Sequence, residues 1–227
     1  MKTSKPWTWV PSLYFAEGLP YIAVTVLAIE IYMQLGLTDA EVTFYTSWLY
    51  LPWVIKPFWS PFLDLYKTKR WWITAMQLLL GAAFAGVAFT IQASWWLQGS
   101  ICFFWMMAFS SATHDVAADG FYMMGLNQHD QAFFVGIRST FYRLSMIVGK
   151  GVLIMIAGVL QVMFRYQIKF SWSLIFYGLT GLFMAFYLYH NYILPRPKED
   201  IDHKEKRQAK AILYEFLMTF DTFFKKK

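Results

Sequence analysis

Seven ionisable residues sit in stretches that are otherwise apolar: Glu17, Lys56, His114, Asp115, Asp119, Arg138 and Arg143. Their types suit the exchange of protons and the holding of anions. Carboxyls can take up and release protons, and the imidazole of His114 titrates near neutral pH. Lys and Arg can meet the carboxylates of a solute through charge-assisted hydrogen bonds. A charge in apolar surroundings is costly, so its presence marks either a pathway or a buried pair. Both readings stand for these residues. Asp119 with Arg138 reads first as a structural lock between helices, while Glu17, Asp115 and Arg143 read first as functional. Lys56 is balanced between the two, and His114 reads first as a hydrogen-bonded helix residue.

Enzyme chemistry has little support. His114, Asp115 and Asp119 share one helix, and His129-Asp130 lies in a loop. A catalytic metal needs about three convergent ligands, and Arg143 would compete for Asp115. No metal and no cofactor is expected. The chain has no G-x-x-x-x-G-K-[ST] phosphate loop, so nothing points to ATP as the energy source.

The elements that must hold these residues are membrane helices. Of 227 residues, 58% are hydrophobic and 15% charged, against about 45–50% and about 25% in soluble domains. The apolar residues form continuous blocks of twenty or more, the length that crosses a bilayer core of about 30 Å. Barrel strands would alternate over about ten residues. Six spans are expected at 7–34, 43–65, 71–93, 96–125, 132–162 and 170–194. The fold class is all-α, six helices in two groups of three. Gly18-Leu19-Pro20 should kink the first, because proline removes a helix hydrogen bond. The first run is too long for a signal peptide and contains Glu17. Cys102, the single cysteine, lies in an apolar block and reads as a packing residue.

Basic residues set the orientation. Lys2 and Lys5 precede the first span, and Lys67, Lys69 and Arg70 join the second and third. Arg196, Lys198, Lys204, Lys206, Arg207 and Lys210 follow the sixth. Asp39 and Glu41 lie on the opposite side, and Arg165 and Lys169 there are outvoted. Both termini are placed in the cytoplasm. The net charge of +6 is explained by this flanking, so no nucleic acid is expected as a partner. The six-helix bundle occupies 1–195. Residues 196–227 read as a cytoplasmic basic linker, with an amphipathic helix carried by Ile212, Leu213, Phe216, Leu217, Phe220, Phe223 and Phe224. The Lys225-Lys226-Lys227 end leads to the expectation that the chain is a fragment whose second half is missing.

Depth follows from a rise of about 1.5 Å per residue. Glu17, Lys56, Asp115 and Arg143 come out near the bilayer midplane, where secondary transporters keep their sites. Asp115 is level with Arg143 and Asp119 with Arg138, so two stacked ion pairs are expected. The third and sixth spans carry almost no charge and can face lipid. Lys150 reads as a snorkelling or pore-mouth residue. Tyr14, Tyr21, Trp53 and Trp105 are candidates for stacking on sugar rings, although most aromatics serve as interface anchors.

Trp59-Ser60-Pro61-Phe62-Leu63-Asp64-Leu65-Tyr66-Lys67-Thr68-Lys69-Arg70 resembles the helix 2–3 signature of the major facilitator superfamily. Pro61, Asp64, Lys67, Lys69 and Arg70 are its matching positions. Ser60-Pro61 replaces the family's glycine, and Leu65 stands in place of the usual arginine. With Lys56 ahead of it, this version resembles the AmpG-type muropeptide permease branch and its acetyl-coenzyme A transporter relatives. Glu17-Gly18-Leu19-Pro20, the stretch from Ser111 to Asp119, and Tyr142-Arg143-Leu144 are similar to three further motifs of that branch. The resemblance spans about residues 10–195 and implies the N-terminal half of a twelve-helix secondary transporter of the bacterial inner membrane. It implies proton-driven uptake of a polar solute such as an anhydro-muropeptide, with the lipid bilayer, the solute, the proton and the missing C-terminal half as partners. Another substrate (a sugar, an acyl-coenzyme A or a drug), a non-transporting assembly subunit and, last, a membrane-embedded enzyme are the alternatives.

Overall fold

The structure is a computed structural model that describes residues 5–197 together with Asp200 and Met218, the side chains of Asp64 and Leu65 excepted. The amphipathic helix expected over 212–224, and the bases Lys2, Lys198, Lys204, Lys206, Arg207 and Lys210, lie outside the described residues. Among the described residues every element is helical. Helix α1 is Pro6–Gln34, α3 Lys69–Thr90, α5 Gln128–Met163 and α6 Ile168–Ile193, and these four are long and apolar enough to cross a membrane. Helix α4 is Trp96–Gly125, 30 residues that include the polar run from Ser110 to Asp115.

Helix α2 is not one helix. The run 39–65 divides into Asp39–Ser47, Trp48–Tyr50, Leu51–Ile55, Lys56–Phe58 and Ser60–Leu65. Pro52, Pro57 and Pro61 each lack the N–H that an uninterrupted helix needs, and each stands at the first or second position of a new piece. The expected kink at Gly18-Leu19-Pro20 takes a particular form: Pro20 lies inside a regular turn, and a wide π turn, Ala23–Leu27, follows directly. A second wide turn, Val148–Leu153, interrupts α5, and the two touch.

Helix α3 packs between α4 and α6, and α1 packs on α4 and α5. The expectation that the third and sixth spans are the outward-facing ones needs correction for the third. The most apolar window of α3 is 61% buried, against 11% for α5. An apolar helix free of charge along most of its length is easy to enclose on several sides, and α3 is second in burial only to α1, at 67%, among these four. Open apolar faces lie on α5, with Ile147, Met155 and Val162, on α2, with Phe44, Trp48 and Val54, and on α6, with Met184 and Leu188. Cys102 is also exposed, on the surface of α4, and does not pack in the core as expected.

Helices α1 and α5 approach each other closely at two glycines. Gly18 faces Ser145, and a Cβ at Gly18 would lie 3.1 Å from the Tyr142 carbonyl oxygen. A Cβ at Gly149 would lie 3.0 Å from the Cβ of Ile22. Small residues let membrane helices meet backbone to backbone, which brings Glu17 beside Tyr142 and Arg143.

Capping fixes the helix starts. Asn127 accepts from the Asp130 N–H at 2.8 Å, and Thr68 accepts from the Trp71 N–H at 3.0 Å. Thr38 and Glu41 form a reciprocal box at the loop end of α2. The Thr38 backbone N–H and hydroxyl hold the Glu41 carboxyl below its usual range. A lowered carboxyl contributes stability above its unfolded value of about 4.3, and that contribution is lost as pH falls through the folded value. Thr38→Ala should therefore speed amide exchange over 39–42 at neutral pH. Acidification through the folded Glu41 value should lower the protection factor of the same amides in the parent, measured against their intrinsic rate at each pH, and an unchanged protection factor in the variant would count against the cap.

Candidate functional site

A cavity of about 270 Å³ opens among α1, α4 and α5. Helix α1 contributes Tyr14 and Glu17, α4 contributes Asp115 and Asp119, and α5 contributes Arg138, Ser139, Tyr142 and Arg143. Residues 115 and 119 are four apart and share one helix face. So do Arg138 and Tyr142. The cavity thus collects five of the seven ionisable residues marked in the sequence.

Asp119 and Arg138 form the expected pair, with Arg138 Nη1 2.9 Å from Asp119 Oδ1. Tyr14 closes a triangle. Its hydroxyl donates to Asp119 Oδ1 at 3.0 Å and accepts from Arg138 Nη1 at 3.0 Å. The guanidinium also lies over the Tyr14 and Tyr122 rings, at 4.9 and 5.0 Å. This knot ties α1, α4 and α5 at one end of the cavity. Tyr14 was expected as a ring platform for a sugar, yet it is 2% exposed and belongs to the knot.

Asp115 does not pair with Arg143, as their matched depth suggested. Its Oδ2 accepts from Lys56 Nζ. Depth is necessary for a pair but says nothing about rotation around the helix. The tight Lys56–Phe58 turn, forced by Pro57, sets Lys56 against α4, and Asp115 lies on the side that α2 approaches. Arg143 therefore lines the cavity with no ion pair among the described residues. Glu17 is 7% exposed, and among the described residues nothing donates to its Oε2. The Asp115, Asp119 and Arg138 charges all act on it. A carboxyl with an unheld buried oxygen and a cation with no carboxylate of its own thus share one small space.

His114 faces away from the cavity and is 1% exposed. It meets Gln77 of α3, which also meets His190 of α6. Neither Gln77 nor Ser12, which meets His190, stood out in the sequence. The available signal was a lone amide in an apolar helix.

The helix 2–3 residues lie at the end of the bundle where α3 starts and α6 finishes. Pro61 opens the last piece of α2, and the Asp64 side chain lies outside what is described. Lys67 takes a left-handed backbone, φ 64°. Lys69 is buried against Gly120 of α4. Arg70 donates to the Asn191 and Leu194 carbonyl oxygens at the end of α6. Asp200 returns the contact, accepting from the Lys69 and Arg70 N–H groups at 2.6 and 3.1 Å. The first turn of α3 and the last turn of α6 are thus each capped from the other's segment. The sequence did not reveal the Asp200 contact, because it joins residues 130 apart.

A BT1 family profile matches residues 15–223. The chain is similar to the "Anhydromuropeptide permease" of Escherichia coli (strain K12), 29% identical over 153 residues. It is equally similar to the protein of that name from Escherichia coli O157:H7. The match covers 64% of this chain and 30% of each of these relatives, so this chain corresponds to a part of their length.

Proposed function

We propose that this chain, which belongs to the BT1 family, forms six membrane-crossing helices of a secondary transporter and supplies one wall of its central path. The solute would be polar and anionic, of the anhydromuropeptide kind, and its uptake would be coupled to protons. The site would lie in a bacterial inner membrane with both ends of the chain cytoplasmic, and a second bundle would complete the path. The observation that carries this reading is the cavity, where, among the described residues, Arg143 has no ion pair and Glu17 has an oxygen without a donor, side by side. Arg143 would hold a solute carboxylate. Lys56 would be drawn from Asp115 toward the same anion, and Glu17 or Asp115 would exchange the proton. Asp119, Arg138 and Tyr14 would hold the frame.

A cavity of about 270 Å³ is slightly below the range of about 300–1,000 Å³ usual for small-molecule sites. It accommodates one charged end of a solute, which supports a path completed by other segments. The test is uptake of labelled anhydromuropeptide by the full-length protein in proteoliposomes, with and without an inward proton gradient. Gradient-stimulated uptake that disappears in Arg143→Ala is the expected result. No uptake by folded protein would remove this substrate, and uptake indifferent to Arg143→Ala would remove the cavity as its site.

A further inference from the structure

Three buried side chains form a polar connection that runs behind the cavity. Gln77, His114 and His190 are each 1% exposed or less. Ser12 Oγ lies 2.9 Å from His190 Nε2. His190 Nδ1 lies 2.9 Å from Gln77 Nε2 and 3.1 Å from Gln77 Oε1. Gln77 Nε2 lies 3.1 Å from His114 Nε2. Phe186 stacks on the His190 ring, with 11° between the planes. The connection crosses α1, α6, α3 and α4 and ends beside Asp115.

Hydrogen-bond arithmetic gives this arrangement two states. An amide nitrogen only donates and an amide oxygen only accepts. With Gln77 Nε2 donating to His114 Nε2, that ring nitrogen keeps its lone pair. His114 is then neutral, with its proton on Nδ1, which has no partner among the described residues. Turning the Gln77 amide over exchanges its two atoms. Oε1 then faces His114 Nε2 and can accept an N–H there. Nε2 faces His190 Nδ1 and donates to it, and His190 donates its own Nε2–H to Ser12 Oγ. His190 fits either orientation, because both amide atoms lie within 3.1 Å of its Nδ1.

The charges around the cavity say when the second state is needed. Glu17 comes from α1, Lys56 from α2, Asp115 and Asp119 from α4, and Arg138 and Arg143 from α5. Helix α6 adds only His190 and α3 only neutral Gln77 at this connection. The formal charges are three carboxyls against three cations. If a solute carboxylate takes Lys56, Asp115 loses its counter-charge inside the membrane, where an unpaired charge is costly. The residue next to it in the chain is His114, and the two interact electrostatically.

We propose that His114 takes up a proton when Lys56 leaves Asp115, that the Gln77 amide turns over to accept the new N–H, and that His190 stays neutral. The proton comes from water, and an N–H bond forms at Nε2 using its lone pair. The hydrogen bond once donated by Gln77 is replaced by one it accepts, and no covalent bond of the protein breaks. Gln77 and His190 are positioning residues in this scheme. It rests on the transporter reading for the event that removes Lys56, while the charge linkage itself needs no transport.

That separation sets the test. Lys56→Met imitates the departure of the lysine. Histidine ring nitrogens labelled with nitrogen-15 in the full-length protein report the charge of His114, assigned with His114→Gln. At one fixed, mildly acidic pH, His114 should be neutral in the parent and cationic in Lys56→Met. It should return to neutral in Lys56→Met with Asp115→Asn, and in Lys56→Met with Gln77→Leu. Lys56→Gln repeats the test should the methionine variant fail to fold. A neutral His114 in both Lys56 variants overturns the proposal, as does a cation that persists without Asp115. Failure of anhydromuropeptide uptake in proteoliposomes alongside the expected spectra would remove that substrate and leave the linkage standing.

Discussion

Glu17→Gln should uncouple uptake from the proton gradient. Glutamine keeps the size of the side chain and can still hydrogen-bond, but it cannot exchange a proton. Glu17 is 7% exposed and lines the cavity with an oxygen that nothing holds. A proton arriving there neutralises the one carboxyl of the cavity that has no ion pair among the described residues. Gradient-driven uptake should fall by about 100-fold, the lower end of what a positioned proton-transfer group contributes. Solute binding, assigned to Arg143 in the proposed function, should change little. The measurement is uptake against pH in proteoliposomes, with binding measured in parallel. If both Glu17→Gln and Asp115→Asn leave the pH dependence unchanged, the proton does not pass through this cavity.

The second large effect comes from the neighbouring residue and acts through packing. Gly18→Val should separate α1 from α5. A Cβ at Gly18 would run into the Ser145 hydroxyl and lie 3.1 Å from the Tyr142 carbonyl oxygen. The backbone carbonyl cannot step aside without moving the helix. Overpacking of this kind costs about 1–3 kcal/mol, occasionally more. The cavity should also widen, because Glu17 and Arg143 approach each other through this contact. Thermal unfolding should show a lower midpoint for Gly18→Ala and a larger drop for Gly18→Val, and Ser145→Ala should return part of the loss for Gly18→Ala. Gly136→Ala is the control, since nothing lies within 4 Å of its added Cβ. Equal stability of the Gly18 and Gly136 variants would refute the close approach.

The legible parts of this protein are those set by local sequence. Helix positions followed from hydrophobic runs, and α4 at Trp96–Gly125 coincides with its expected limits. The segmentation of α2 was not anticipated, although Pro52, Pro57 and Pro61 announce it. A hydropathy run averages over such breaks. Five of the seven marked residues line one cavity, because a charge in a membrane helix is pushed to the bundle interior. Partner choice was less legible. Depth along the axis placed Asp115 level with Arg143, but the angle around the axis gave it to Lys56. Gln77 and Asp200 escaped notice because their contacts span 37 and 131 residues of chain.

The two wide turns have an evolutionary consequence. A π turn spends one residue more than the α turn it replaces, and the helix on either side keeps its phase. Removing a residue from a packed helix ordinarily rotates everything beyond it by about 100°, since a turn takes 3.6 residues. In the stretches Ala23–Leu27 and Val148–Leu153 a one-residue deletion would instead restore a regular helix with both flanks still facing their neighbours. The gene should tolerate length change at these two places within its membrane helices.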